Sequence, residues 1–176
     1  MTEAFRIPDA ARDPAAYVQA LLSVLGDRDP LEVLETTPSR VSGIASDRLA
    51  GELDHAPSPG EWSARDVLGH LLDVEVVYGF RMRLTLTENG PSYPGYDEKR
   101  WATLPKLGFA PMLDAFAALR QVNLHLLRTI PRDEWSRVGH HGEQGPDPFD
   151  LQVRKLAGHD LVHLEQLERA ARARTA

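Results

Sequence analysis

Cysteine is absent from the 176 residues. That excludes disulfides, a cysteine nucleophile, a thiolate metal site and a redox thiol of the chain's own. Any thiol chemistry would need a thiol carried in by a cosubstrate. No apolar run approaches the ~20 residues that span a bilayer, and the N-terminal "MTEAFRIPDAARDP" has no apolar signal core. No membrane partner is therefore expected, and the cytoplasm is the default location. Basic charge is also in short supply, with 20 Lys and Arg against 26 Asp and Glu and a net charge of −6. A phosphate-backbone binder carries a basic stripe, so no nucleic-acid partner is expected. The arginines near the end (Arg169, Arg172 and Arg174) fall in a final helical turn, where positive charge suits the helix dipole. Strand-type alternation of useful length and internal repeats are missing too.

What is present has helical rhythm. The chain reads as one all-α domain over 1–176, a four-helix bundle with long crossover connections. Asp13-Pro14 is a cap followed by a first-turn proline, and Tyr17, Leu21, Leu22, Val24 and Leu25 form a stripe that Gly26 ends. The segment "DPLEVLETTPSRVSGIASDRLAGEL" reads as loose, with short helical turns broken by Pro30 and Pro38. Ser63 with Asp66 is a variant capping box for a second helix through Val67, His70, Leu71, Val74, Val77, Tyr78 and Arg81, stopped at Asn89-Gly90-Pro91. A third helix is expected from about Pro111 to Arg128 and a fourth from about Asp150. The connectors "PSYPGYDEKRWATLPKLGF" and "RVGHHGEQGPDPFD" read as loops.

Chemistry concentrates in the histidines. In "LAGHDLVHLEQLERAARAR", His159 and His163 stand one turn apart, about 6 Å along the helix axis. That spacing lets both imidazoles converge on one divalent ion. Both fall in line with Leu156 and Leu167 on the inward stripe, where a helix needing only a core would place Leu. His70 repeats the feature in register with Val67, Val74 and Val77. Three imidazoles facing one bundle interior would leave an open metal position, the catalytic arrangement. All-nitrogen ligation suits zinc, nickel, copper or iron(II), with zinc or nickel expected first. The alternative is a plain core in which the histidines are satisfied by neighbours.

Asp73, one turn beyond His70, is the carboxylate candidate, to orient that imidazole or act as a base. His55 reads as a surface residue. His125 lies between Leu124 and Leu126, and His140 and His141 lie in the loop before the last helix, where a rim or supporting role suits them.

Four stretches in order carry a resemblance. "PGEWSARDVLGHLLDVE" resembles the second-helix motif of the DinB-like superfamily, and "YGFRMRLTLTENGPSYPGYDEKRWATL" is similar to the segment that follows it in the YfiT-type branch. "HGEQG", His141 to Gly145, resembles that branch's loop, and "HDLVHLEQL" its closing helix. Together they span roughly Pro59 to Leu167. Val162 stands where relatives often carry an extra histidine, and Gly142 where proline is usual.

The resemblance implies a four-helix bundle, commonly a homodimer, with one divalent metal on His70, His159 and His163. It points to Tyr96, His141 and Glu143 as rim residues. It also implies a metal-dependent transferase joining a low-molecular-weight thiol such as bacillithiol to an electrophile; Arg81, on its own reading a solvated helix end or a partner for a carboxylate on an anionic thiol cosubstrate, is a further substrate-binding candidate. A metal-dependent hydrolase of a small amide or ester ranks second, because no strong general-base motif accompanies the histidines. A non-enzymatic, metal-binding stress-response module is the third reading.

Overall fold

Local signals set most helix boundaries. In a computed structural model describing residues 7–172 apart from 47, 49 and 50, α1 (Pro14–Leu25) opens where the Asp13 carboxylate accepts from the Ala16 amide at 3.0 Å. Helix α3 (Ala64–Thr87) begins with the reciprocal box: the Asp66 amide donates to Ser63 Oγ and the Ser63 amide donates to Asp66 Oδ2, both at 3.1 Å. These bonds satisfy amides that the first helical turn leaves without partners. The longer helices α5 (Phe109–Thr129) and α6 (Phe149–Arg172) extend the expected ranges by one or two residues at their ends. Between α3 and α5 lies the short α4 (Glu98–Trp101), capped by Asp97 through the Arg100 amide at 3.0 Å. Arg174 lies outside the described residues.

One segment departs from the sequence expectation. The larger part of the stretch read as loose is a continuous helix, α2 (Pro30–Ala45), with Pro38 inside it. Pro30 follows the Asp29 cap and fits the first turn, where no amide is needed. Pro38 lacks the amide that the Leu34 carbonyl would otherwise accept from. The Arg120 guanidinium fills that gap, its Nη1 donating to Leu34 O at 2.9 Å. The four bundle helices are therefore α2, α3, α5 and α6, with α1 laid along α6 as an addition.

Helix α6 packs on α2 and α3, and α5 packs on the same two, so consecutive helices α2 and α3 stand across a diagonal, as do α5 and α6. The long connections make these crossings. Helix α1 approaches closely at Gly158, where a Cβ would run into the backbone of Leu21. The connectors also hold a three-stranded sheet that the sequence did not announce: β1 (Ser92–Tyr93), β2 (Val138–His141) and β3 (Gly145–Pro148). Strand β1 runs parallel to β2, and β2 pairs antiparallel with β3 around a turn closed by Gly145 at φ 77. Among the described residues, no helix is long and apolar enough to cross a membrane.

The interior has two apolar clusters, one around Leu68, Phe116 and Leu164, the other around Met82, Phe149 and Leu156. Between them, on α3, α5 and α6 in turn, come Glu75, Arg120 and Asp160, each at most 1% exposed. Arg120 Nε donates to Glu75 Oε2 at 2.8 Å and Nη1 to Asp160 Oδ2 at 2.6 Å. With the bond to Leu34, one guanidinium ties all four bundle helices together. Burial alone would weaken its hold on the proton, but Asp160 and Glu75 outweigh that and raise its pKa above the usual value.

Candidate metal centre and its cleft

The same layer holds the histidines. His70 from α3 meets His159 and His163 from α6, and one ring nitrogen of each lies within 4.8 Å of the others. His70 Nε2 and His159 Nε2 are 3.0 Å apart. Two nitrogens bound to one tetrahedral ion at 2.0–2.1 Å would stand about 3.3 Å apart, close to this spacing. The ring centroids are 4.2 to 5.0 Å from one another, and Trp62 packs 5.0 Å from His70.

The electrostatics keep these rings neutral. Burial, then the neighbouring His163, pushes His70 down to about 2. Burial lowers His163 to about 4 against the opposing pull of Gln166 and Asp160. His159 is driven well below its ordinary value by burial and by its two partner histidines. Neutral imidazoles are the ligating form. His163 Nδ1 sits 2.7 Å from Gln166 Oε1. As donor there, it leaves the lone pair on Nε2, the tautomer that a carbonyl partner imposes on a metal ligand.

Two observations fit a cation at this point. The 3.0 Å pair can share only one proton between two nitrogens. The same layer buries two carboxylates, Glu75 and Asp160, against the single guanidinium of Arg120.

A cleft of about 530 Å³ opens over His159 and His163, walled by Trp62, by Tyr17 and Leu21 of α1, and by Glu98. Glu98 is the residue that sequence reasoning missed. Its Oε2 lies 4.0 Å from His70 Nε2; the side chain is half-exposed, and its partial desolvation raises its pKa, with Asp9 and Asp97 pushing the same way against Lys99. It looked like one acid among several in "GYDEKRW". The readable signal was the Asp97 cap, which marks a helical turn and so fixes where Glu98 points.

The other candidates lie elsewhere. Asp73 is half-buried and, among the described residues, its carboxylate forms no hydrogen bond or ion pair; burial raises its pKa against the opposing pull of Lys106. Arg81 is buried away from the cleft, its Nη2 donating to Pro94 O at 2.7 Å between the rings of Tyr78 and Tyr93. Tyr96 packs against Trp101 with the two rings tilted. His141 ends strand β2, where its Nδ1 accepts from the Glu143 and Gln144 amides at 3.1 and 3.3 Å and shapes the β2–β3 turn. Burial, then Arg81 and Lys155, lowers its pKa to about 4. The exposed Glu143 lays its carboxylate against Gly95, in the space a Cβ would fill. None of these five lines the cleft over the histidines. His55, His125 and His140 are exposed.

Comparison with known proteins gives one consistent answer. The family model of the DinB superfamily matches residues 33–167. The chain is 27% identical over 150 residues to "Putative metal-dependent hydrolase YfiT" of Bacillus subtilis (strain 168), covering 79% of this chain and 82% of that one. A protein of Oceanobacillus iheyensis, also named a "Putative metal-dependent hydrolase", is 29% identical over 136 residues, covering 76% and 79%. Among solved structures, a match with TM-score 0.74 and 25% identity covers 81% of this chain and 84% of the other, which is described as "YfiT from Bacillus subtilis is a probable metal-dependent hydrolase with an unusual four-helix bundle topology".

Proposed function

This chain belongs to the DinB superfamily, and from that premise we propose that it is a metal-dependent hydrolase of a small amide or ester. His70, His159 and His163 hold one divalent ion, zinc or nickel, and Glu98 handles the proton. Such an ion polarises the substrate carbonyl and acidifies the nucleophile presented to it. The chain's own residues do the rest. Gln166 fixes the His163 tautomer, Trp62 shields the imidazoles on one side, and Glu98 accepts a proton from the attacking water and returns it to the leaving group.

The observation that carries this reading is the Glu98 carboxylate, 4.0 Å from the imidazole cluster and inside the cleft. Its raised pKa brings it closer to the range useful to a general base. Ranking hydrolysis second rested on the lack of such a base. Glu98 supplies one, so hydrolysis moves ahead of thiol transfer.

The absence of cysteine keeps the transferase reading second. In that reaction a low-molecular-weight thiol gives its proton to Glu98, its sulfur attacks an electrophilic carbon as the bond from that carbon to its leaving group breaks, and Glu98 returns the proton to the departing group. The test is turnover of an ester and amide panel by the metal-loaded protein, with and without added thiol. Thiol-independent release that falls roughly hundredfold or more in Glu98→Gln, at unchanged metal content, is the hydrolase result. Turnover that strictly requires the thiol would reassign the chain as a transferase. No turnover with either would leave a metal-binding module.

A further inference from the structure

The connector that leads from β1 to the α4 turn is held by residues outside the cleft, and Glu98 is the first residue of that turn. Arg81 Nη2 donates to Pro94 O at 2.7 Å. The Gly142 amide donates to Tyr93 O at 2.9 Å. The Glu143 carboxylate lies against Gly95, where a Cβ would stand 2.6 Å from its Oε1. Asp97 then closes the turn through the Arg100 amide at 3.0 Å. Arg81 is the unusual member of this set. It is 6% exposed, its guanidinium stands 5.8 and 5.3 Å from the ring centres of Tyr78 and Tyr93, and among the described residues it pairs with no carboxylate. A buried charge normally has a counter-ion. Here the guanidinium is held on a backbone carbonyl of the connector instead. Arg81 and Glu98 also reach the same two phenols: burial raises the pKa values of Tyr17 and Tyr96, Glu98 adds to the rise and Arg81 opposes it.

We propose that Arg81 is a positioning residue for Glu98, pinning the Pro94 carbonyl so that the connector delivers the α4 turn to the edge of the imidazole cluster. This deepens the hydrolase reading and rests on it for the role of Glu98. Glu98 stands four residues beyond Pro94, and the Asp97 cap fixes the turn between them, so a shift at Pro94 passes on to the carboxylate. A general base works only within hydrogen-bond reach of the proton it takes, and a misplacement of ~1 Å can lower the rate about hundredfold. Arginine suits this task because its planar fork holds an acceptor while packing against aromatic rings. Replacing it strands no carboxylate, so the fold should survive the change.

The test is a double-variant cycle on the zinc-loaded full-length protein with para-nitrophenyl butyrate, comparing the native chain, Arg81→Met, Glu98→Gln and the two combined. Arg81→Met should lower kcat roughly tenfold or more with KM within about twofold. Where Glu98 is already Gln, the same change should alter kcat by less than about twofold. Zinc content should stay unchanged throughout. On the metal-free protein, amide exchange followed by NMR should quicken severalfold at Arg100, Trp101 and Ala102, whose amides are held by Asp97 and Glu98, and stay as it was around His159. Arg81→Lys keeps the charge without the planar fork, should give an intermediate loss, and carries the same cycle if Arg81→Met does not fold. Equal losses in both backgrounds, or unchanged exchange in the α4 turn, would overturn the proposal. If no ester is turned over by any form, the hydrolase reading fails, while quickened exchange confined to the α4 turn would still assign Arg81 the placement of Glu98.

Discussion

Two buried polar clusters share the middle layer of this bundle, and they behave differently. The Arg120 cluster is complete within the chain: Glu75, Asp160, Leu34 O and the guanidinium satisfy one another across four helices, and Asn123 Nδ2 adds a 2.9 Å bond to Glu75 Oε1. The histidine cluster beside it is not complete. Its rings press nitrogen on nitrogen, leave His159 Nδ1 without a partner and hold their protons weakly. Both cost desolvation, but only the first recovers it internally. A buried cluster that closes on itself is architecture, whereas one left open toward a cleft is prepared for something that arrives.

The largest expected effect comes from breaking the closed cluster. Arg120→Ala strands two carboxylates in the interior and frees the Leu34 carbonyl, and should cost about 3–5 kcal/mol in chemical denaturation whether or not metal is present. The open cluster should respond the opposite way. Replacing His70, His159 and His163 together with Leu removes the imidazoles with their contacts to one another and strands only the partly exposed Gln166 amide, so the metal-free protein should change by less than ~2 kcal/mol. The same triple variant should lose all metal.

A pH titration of the metal-free protein sharpens the contrast. All three imidazoles have folded-state values below their ordinary 6.5, so below that pH the unfolded chain binds more protons than the folded one. Stability should be fully present above about 6.5 and fall as pH drops toward 4, and the triple Leu variant should show a shallower fall. A native curve as flat as the variant's would contradict the depressed values. The smallest effect belongs to Pro38→Ala. A proline inside a helix costs ~3 kcal/mol where its missing bond goes unrepaired, but here Arg120 has taken that carbonyl. Denaturation should shift upward by less than about 1 kcal/mol.

What could be read from the sequence follows the range of the interactions. Caps are local, so Asp13-Pro14 and the Ser63–Asp66 box marked α1 and α3 correctly. The histidine cluster was legible because one helix supplies two of its members and the hydropathy stripe fixes their inward face. Helix α2 was not legible, since Pro38 reads as a break until Arg120, far along the chain, reaches back to Leu34. The strands carry His, Gly and Pro in short runs with no apolar alternation to announce them. Arg81 and Asp73 misled because helical spacing tells which face a residue occupies but not what the connectors bring against it. Glu98 was hidden for the converse reason, a connector residue whose place depends on a four-residue helix.

Metal content per chain, measured on protein purified without a histidine tag, tests the central claim most directly. About one divalent ion in the native protein, and none in a His159→Ala, His163→Ala double variant that stays folded, is the result expected of an open cluster. A native protein that binds neither zinc nor nickel when these are supplied would contradict it, and would make the three imidazoles part of the core alone.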